Sequence, residues 1–263
     1  MNKSFEQFVK EYQKSALTKK AYANSLEMFD RYLKGKEPTE RTVEEYMLAL
    51  EGKGLASASV NRHLSAIRAY FLWRKKHSPP EKRGYWDLMV EGPKVHNKLV
   101  PIFPVEDIIR ILDVCQTTYE KAFIMLLYDG ALRISELMGI QVEDVDFKEK
   151  QVKVTRKGED EQMIPLGDET TQALKEYIGS RQGLVFPLPY WKLLYDLKRL
   201  GHKAGVNKLH PHLFRHARAQ NLRENGVKVE DVKDFLGHKD ISTTMRYFQG
   251  DPKMLRKKIT KAF

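Results

Sequence analysis

Apolar residues return every three or four positions along almost the whole chain, and only between Val145 and Pro165 does the spacing change to alternation. A period near 3.6 commits a segment to an amphipathic helix, and a period of two commits it to a half-buried strand. The chain is therefore expected to be mainly α with a small antiparallel β-sheet, an α+β fold. In the first 76 residues, Phe5, Phe8, Val9 and Tyr12 share one helical face. Thr18 is a candidate cap for a second helix carrying Tyr22, Leu26, Phe29, Tyr32 and Leu33, which Gly35 and Pro38 stop. Thr42 is a candidate cap for a third, with Val43, Tyr46, Met47 and Leu50 inward and Gly52 and Gly54 at its end. Ser57 or Ser59 opens a fourth, on which Val60, Leu64, Ile67 and Phe71 repeat.

From His77 to about Pro104 the pattern breaks. Pro79-Pro80, Gly84, Gly92-Pro93, Pro101 and Pro104 favour an extended connector over a packed element, with Trp86 and Leu88 as possible anchors onto one domain. This divides the chain into a helical domain at 1–78, a linker at 79–103 and a second domain at 104–263. The second domain opens on Val105-Glu106-Asp107, a good helix start, and continues through a helix from Ala122 to Gly130 and a helical Arg133 to Met138. Val145-Asp146-Phe147, Gln151–Val154 and Gln162–Pro165 read as short strands joined by charged turns. Helices resume near Asp168 to Tyr177, Tyr190 to Leu200, His212 to Glu224, Val229 to Leu236 and Thr243 to Phe248.

The net charge of +11 points to a polyanionic partner, because clustered Lys and Arg gain free energy by releasing phosphate counterions. Charge alone does not separate nucleic acid from an anionic membrane surface. No apolar stretch reaches the roughly 20 residues of a membrane span, and Met1-Asn2-Lys3-Ser4 does not read as a signal peptide. With Cys115 the sole cysteine, an internal disulfide is excluded, which fits a reducing cytoplasm. On the fourth helix, Arg62, His63, Arg68, Arg74, Lys75 and Lys76 form either a solvated face or a surface laid against DNA.

The chemistry-bearing residues cluster in the second half. They are Arg133 in Gly130–Leu137, the box His212-Leu213-Phe214-Arg215-His216, then Leu236-Gly237-His238, then Tyr247 in Thr243-Thr244-Met245-Arg246-Tyr247. Guanidinium groups match the non-bridging oxygens of a phosphodiester, imidazoles move protons near neutral pH, and a phenol can serve as a covalent nucleophile. His210, His212 and His216 also suggest a metal site. Against it, Arg215 sits inside the cluster, Pro211 constrains it, and no carboxylate or cysteine is near in sequence.

In order and spacing these motifs resemble the catalytic domain of the tyrosine recombinases, the phage-integrase family, in its compact Xer-type form. Tyr128-Asp129-Gly130-Ala131-Leu132-Arg133-Ile134-Ser135-Glu136-Leu137 is similar to the family's Y-x-T-G-L-R-x-S-E-L. Lys157-Gly158 followed by Ile164-Pro165-Leu166 resembles its β-turn lysine and the strand after it. The remaining boxes match H-x-L-R-H, L-G-H and T-T-x-x-Y. The four leading helices resemble the family's core-binding domain, chiefly through Asn61–Arg68. Departures are Gly130-Ala131 for Thr-Gly, Phe214 for Leu, Arg156 where Gly is common, and Arg218 where an aromatic is frequent.

The resemblance implies an enzyme of site-specific DNA recombination that works through a 3′-phosphotyrosyl intermediate, with catalytic residues Arg133, Lys157, His212, Arg215, His238 and Tyr247. Tyr247 attacks, the two arginines clamp the phosphate, and Lys157, with Lys153 in reserve, protonates the departing 5′ oxygen. His212 exchanges a proton with Tyr247, His238 donates to the phosphate, and His216 buttresses the site. The phosphoester bond conserves its energy in the covalent link, so neither a metal nor a nucleotide cofactor is expected. The expected partners are double-stranded DNA gripped by both domains and a homotetramer on two sites, passing through a Holliday junction. The last segment, with Leu255 and Ile259 on one side among Lys253, Arg256, Lys257, Lys258 and Lys261, is a candidate docking helix. The resemblance leaves open dimer resolution or integration and excision. A type IB topoisomerase and a DNA-binding regulator without catalysis are the competing readings.

Overall fold

The computed structural model describes residues 2–95, 103–156 and 160–248. The expected docking helix near Leu255 and the candidate acid Lys157 fall outside them. The chain divides into two compact units, Met1–Asn97 and Lys98–Phe263.

The first unit holds α1 (Lys3–Glu11), α2 (Ala16–Leu33), α3 (Glu40–Gly52) and α4 (Ser57–His77). Two of these helices are capped three residues earlier than expected. Ser15 accepts from the Thr18 N–H, and Thr39 accepts from the Thr42 N–H while the Thr42 hydroxyl takes the Thr39 N–H at 2.8 Å. Hydroxyl residues stand at both the cap and the third helical position, and only the backbone hydrogen bond tells them apart. The core is strongly aromatic. Tyr70 receives Phe5 edge-on at 4.5 Å between ring centroids, with Phe8 and Trp86 also edge-on around it.

Trp86 comes from the stretch expected as an open linker. Pro80–Trp86 instead forms a 3-10 helix, and Trp86 and Val90 are buried with Leu88 packed beside them. Residues 86, 88 and 90 present one face at a spacing of two, a strand-like pattern hidden among prolines. Gly92 comes so close to Asn61 that a Cβ there would lie 1.7 Å from its Oδ1, and Asn61 Nδ2 donates to the Pro93 carbonyl at 2.9 Å. This docking occupies much of the basic face of α4. Arg68 donates to the Val90 carbonyl, Arg74 lies 4.2 Å above the Trp86 ring and Lys75 pairs with Asp87, while His63 is buried against the Tyr46 hydroxyl. Arg62 and Lys76 remain exposed.

The second unit runs α5 (Val105–Asp113), α6 (Thr118–Asp129), α7 (Ile134–Gly139), β1 (Val145–Asp146), β2 (Gln151–Thr155), β3 (Glu161–Pro165), α8 (Asp168–Ile178), α9 (Tyr190–Lys203), α10 (Pro211–Glu224), α11 (Val229–Leu236) and α12 (Ile241–Phe248). The strands form an antiparallel sheet in the order β1-β2-β3, with Val145 opposite Val152 and Val152 opposite Ile164. In α6, Ala122 to Leu127 are buried without interruption, which makes it the central helix. A smaller apolar cluster of Ala131, Ala219, Val232, Leu236 and Tyr247 joins α10, α11 and α12 to the loop after α6. Among the described residues no helix is long and apolar enough to cross a membrane.

Trp86→Ala in the full chain is expected to lower the unfolding free energy by about 3 kcal/mol, since it removes a large core ring and the partner of Arg74. Urea denaturation followed by circular dichroism measures this, and an unchanged midpoint would take Trp86 out of the core.

Candidate active site

Pro211 fits the first turn of α10, where a missing N–H costs nothing, and so starts the helix just ahead of the histidine box. The 3.6 period then turns Phe214 into the core against Phe103, at 5.8 Å between ring centroids, and sets Arg215 and His216 side by side. Arg218, where an aromatic is frequent, reaches back to Asp129 at 2.8 Å.

Arg215 is only 3% exposed, and an unmatched cation there would be prohibitive. Backbone carbonyls match it. One terminal nitrogen donates to Ala131 at 2.8 Å and the other to Leu236. A guanidinium carries five N–H donors, so this leaves several for a ligand. Burial, followed by the nearby Arg133 charge, brings the Arg215 pKa down to about 10. Ala131 presents its carbonyl from a left-handed conformation with φ +47. The family pattern has glycine here. Ala131 bears a strain of roughly 1–2 kcal/mol, offset by the complete burial of its methyl.

Arg133 caps α7. Its backbone N–H donates to Glu136 Oε2 at 2.9 Å and its side chain to Oε1 at 2.5 Å. The same Oε2 takes a bond from Arg156 at 2.7 Å. Arg156 is buried at the end of β2 and also donates to the Phe235 carbonyl at 3.0 Å and to Gln162 at 3.0 Å, while Gln162 donates to the Asp234 carbonyl at 2.7 Å. Three side chains thus converge on consecutive carbonyls, Asp234 to Leu236, at the C-terminus of α11, where the helix dipole favours positive charge. Gly237 ends the helix at φ +62, and a Cβ there would lie 2.9 Å from Arg156 Nε. By sequence Arg156 stands out only as a departure from a common glycine. The alternation Val152, Val154, Arg156 along β2 already put it on the inward face.

Tyr247 is 5% exposed, and its hydroxyl is hydrogen-bonded to His216 Nδ1 at 2.6 Å. The Tyr247 carbonyl accepts from Arg223. The proton partner expected of Tyr247 was His212. His212 forms no hydrogen bond with the phenol, because α10 brings the residue one turn further on to that position; the ring centroids of His212 and His216 lie 6.5 Å apart. His238 stacks on Tyr247 at 6.5 Å, and the Thr244 hydroxyl is 2.7 Å from its Nδ1. With that hydroxyl donating, Nε2 carries the His238 proton and can offer it to an anion. Lys153, the reserve acid, is held by Asp144 at 3.2 Å and Glu161 at 3.5 Å, which raises its pKa.

The electrostatics are uniform in sign. Burial comes first and the neighbouring cationic groups second in lowering the pKa of His212, and in bringing His216 and His238 down to about 4. Burial raises the Tyr247 pKa, with Arg215, Arg246 and Arg133 pulling the other way. Three guanidinium groups, those of Arg133, Arg156 and Arg215, face one carboxylate, Glu136. The site has a surplus of positive charge, two neutral imidazoles and a phenol, which suits an anion that gains charge as the phenol attacks it.

The comparisons agree with this chemistry. Residues 102–254 match the model of the phage integrase family, and residues 3–77 match the phage integrase N-terminal SAM-like domain. The tyrosine recombinase XerD of Staphylococcus haemolyticus is 30% identical, covering 86% of this chain and 85% of the relative. XerA of Pyrococcus horikoshii is 28% identical over 91% of this chain and 87% of its own length. Among solved structures, the XerH recombinase in its post-cleavage complex with difH superposes with a TM-score of 0.77 at 18% identity, covering 97% of this chain and 83% of that one. The Tn1549 transposon integrase bound to transposon right-end DNA gives 0.73 at 19%, covering 98% of each. These two structural likenesses concern the fold.

His216 and His238 take up protons in the unfolded chain near the ordinary histidine value of about 6.5, but in the folded chain only near 4. Stability is therefore expected to be full above about pH 6.5 and to fall as the pH drops toward 4. Thermal melts across that range measure it. A melting temperature that stays level, or rises on acidification, would contradict two half-buried imidazoles held neutral.

Proposed function

Because this chain belongs to the phage integrase family and is a tyrosine recombinase that breaks and rejoins DNA at specific sites, we propose that Tyr247 is its nucleophile and that Arg133, Lys157, His212, Arg215 and His238 complete the catalytic set. The phenolic oxygen attacks a scissile phosphodiester, forming a 3′-phosphotyrosyl link and releasing a 5′ hydroxyl. Arg215 and Arg133 neutralise the charge that develops on the non-bridging oxygens. Both carry surplus N–H donors beyond those their protein partners use. His238 donates from Nε2 to a phosphate oxygen, and His212, whose titration Arg215 and Arg133 already influence, adds a further donor. Lys157 protonates the departing 5′ oxygen; Lys153, locked between two carboxylates, is the poorer donor.

The observation that supports this assignment is a nearly buried phenol hydrogen-bonded to an imidazole within the field of three guanidinium groups, those of Arg215, Arg246 and Arg133. A structural tyrosine gains nothing from such a setting, whereas an attacking one gains stabilisation of its anion.

The domain scheme carries the same reading. The core-binding domain, expected at 1–78 and extended by the packed residues 80–90, grips duplex DNA, the linker is what remains of 79–103 beyond them, and the catalytic domain at 104–263 performs the chemistry. Four protomers assemble on two DNA sites in the cytoplasm and exchange strands through a Holliday junction, for dimer resolution or for integration and excision. Basic residues that stay exposed, such as Arg62 and Lys76, serve phosphate contacts.

Tyr247→Phe is expected to abolish the covalent protein–DNA adduct on nicked duplex selected from random DNA while leaving affinity within about twofold, since the ring is retained. Adduct formation by that variant would remove Tyr247 from its role. Lys157→Ala is expected to lose cleavage by about 10²- to 10⁴-fold and to recover it on a substrate with a 5′-bridging sulfur, which leaves without a proton. Failure to recover would move the acid to Lys153 or another group.

A further inference from the structure

We propose that His216, and not His212, takes the phenolic proton of Tyr247 as its oxygen attacks phosphorus. The proposal rests on Tyr247 being the nucleophile and deepens that reading by naming its base.

The geometry carries the assignment. His216 Nδ1 lies 2.6 Å from the Tyr247 hydroxyl, with 5.3 Å between ring centroids. The other two imidazoles are otherwise placed. His238 Nδ1 is engaged by Thr244 at 2.7 Å, and His212 makes no hydrogen bond with the phenol. With the phenol donating to Nδ1, the His216 proton sits on Nε2 and the ring is neutral, the form a base requires. The groups that keep it neutral, after burial itself, are His212, His210, Arg246 and Arg215, and His238 lies in the same field.

That field also supplies a switch. A base depressed first by burial and then by neighbouring cationic groups is weak before substrate binds, where Tyr247 is itself hard to ionise. A DNA phosphate bound on Arg215 places a negative charge near His216, against one of the several cationic groups that depress it, and so raises its basicity when substrate arrives. In the step itself the phenolic O–H bond breaks and its proton moves to Nδ1, while the oxygen electron pair forms the bond to phosphorus. The bond from phosphorus to the 5′ oxygen breaks with its electron pair on that oxygen, which the general acid protonates. Rejoining runs the same transfers backward, and His216 returns the proton to Tyr247.

The test measures single-turnover adduct formation on nicked duplex by the full chain, for the unsubstituted enzyme, His216→Gln and His212→Gln. Each is made with tyrosine and with 3-fluorotyrosine at position 247, whose phenol ionises more readily. His216→Gln is expected to lose at least a hundredfold, and its rate is expected to rise about tenfold per pH unit near neutrality as hydroxide replaces the base. Fluorotyrosine is expected to restore His216→Gln by tenfold or more and to leave His212→Gln unrestored. Rescue of His212→Gln alone, rescue of neither, or unimpaired cleavage by His216→Gln would overturn the proposal while Tyr247 stands as nucleophile. His216→Ala with added imidazole provides a second route, and restored cleavage there supports the same role. If even the unsubstituted enzyme forms no adduct, the reading of Tyr247 as nucleophile falls first and this proposal with it.

Discussion

A guanidinium buried to 3% exposure must be matched atom by atom, and the second unit is organised around matching Arg215. Its partners are main-chain carbonyls from two places far apart in sequence, Ala131 after α6 and Leu236 at the end of α11. Carbonyl partners carry no formal charge, so they leave the positive charge of Arg215 unneutralised. Holding those carbonyls in place constrains the surroundings in turn. Ala131 takes a left-handed backbone, and Gly237 turns the chain away directly after α11.

Arg156 extends the same arrangement to the sheet. It ties β2 to the α11 terminus through Phe235 and shares Glu136 with Arg133. The carboxylate orients both guanidinium groups without cancelling the surplus of charge. A side chain at the root of the β2–β3 turn is thereby coupled to the first arginine, to the helix end beneath the second, and through Gly237 to His238. Removing one partner would leave buried charge behind, so these residues act as a unit. Burial first, and the surplus charge after it, depresses both half-buried imidazoles.

Much of this was legible before any coordinates. The change from helical to alternating periodicity predicts the sheet between Val145 and Pro165, and the strands lie there. The motif boxes supply Arg133, Arg215, His238 and Tyr247, and the structure gathers these side chains into one electrostatic neighbourhood. Less legible were features where two readings share one pattern. Hydroxyl residues at both ends of a capping turn misplaced two helix starts. Trp86 and Leu88 read as anchors, but the prolines around them hid the extent of the packed segment, because a spacing of two over five residues is easily lost among turn formers. His212 and His216 lie four apart on one helix, and spacing cannot say which of them meets a tyrosine arriving from another helix.

The order of residue types along the chain determined which chemistry is possible here: two arginines, three histidines and a tyrosine in a helical frame with one small sheet. That follows from local rules, since periodicity sets helix or strand and side-chain chemistry sets affinity for a phosphodiester. Only the tertiary structure decided the pairings. It gave the phenol to His216, the Arg215 guanidinium to the carbonyls of Ala131 and Leu236, and Arg156 to a shared carboxylate. Hydrogen bonds at 2.6 to 3.0 Å depend on how helices pack against one another, and packing is settled by burial of the whole core rather than by any residue's neighbours in sequence.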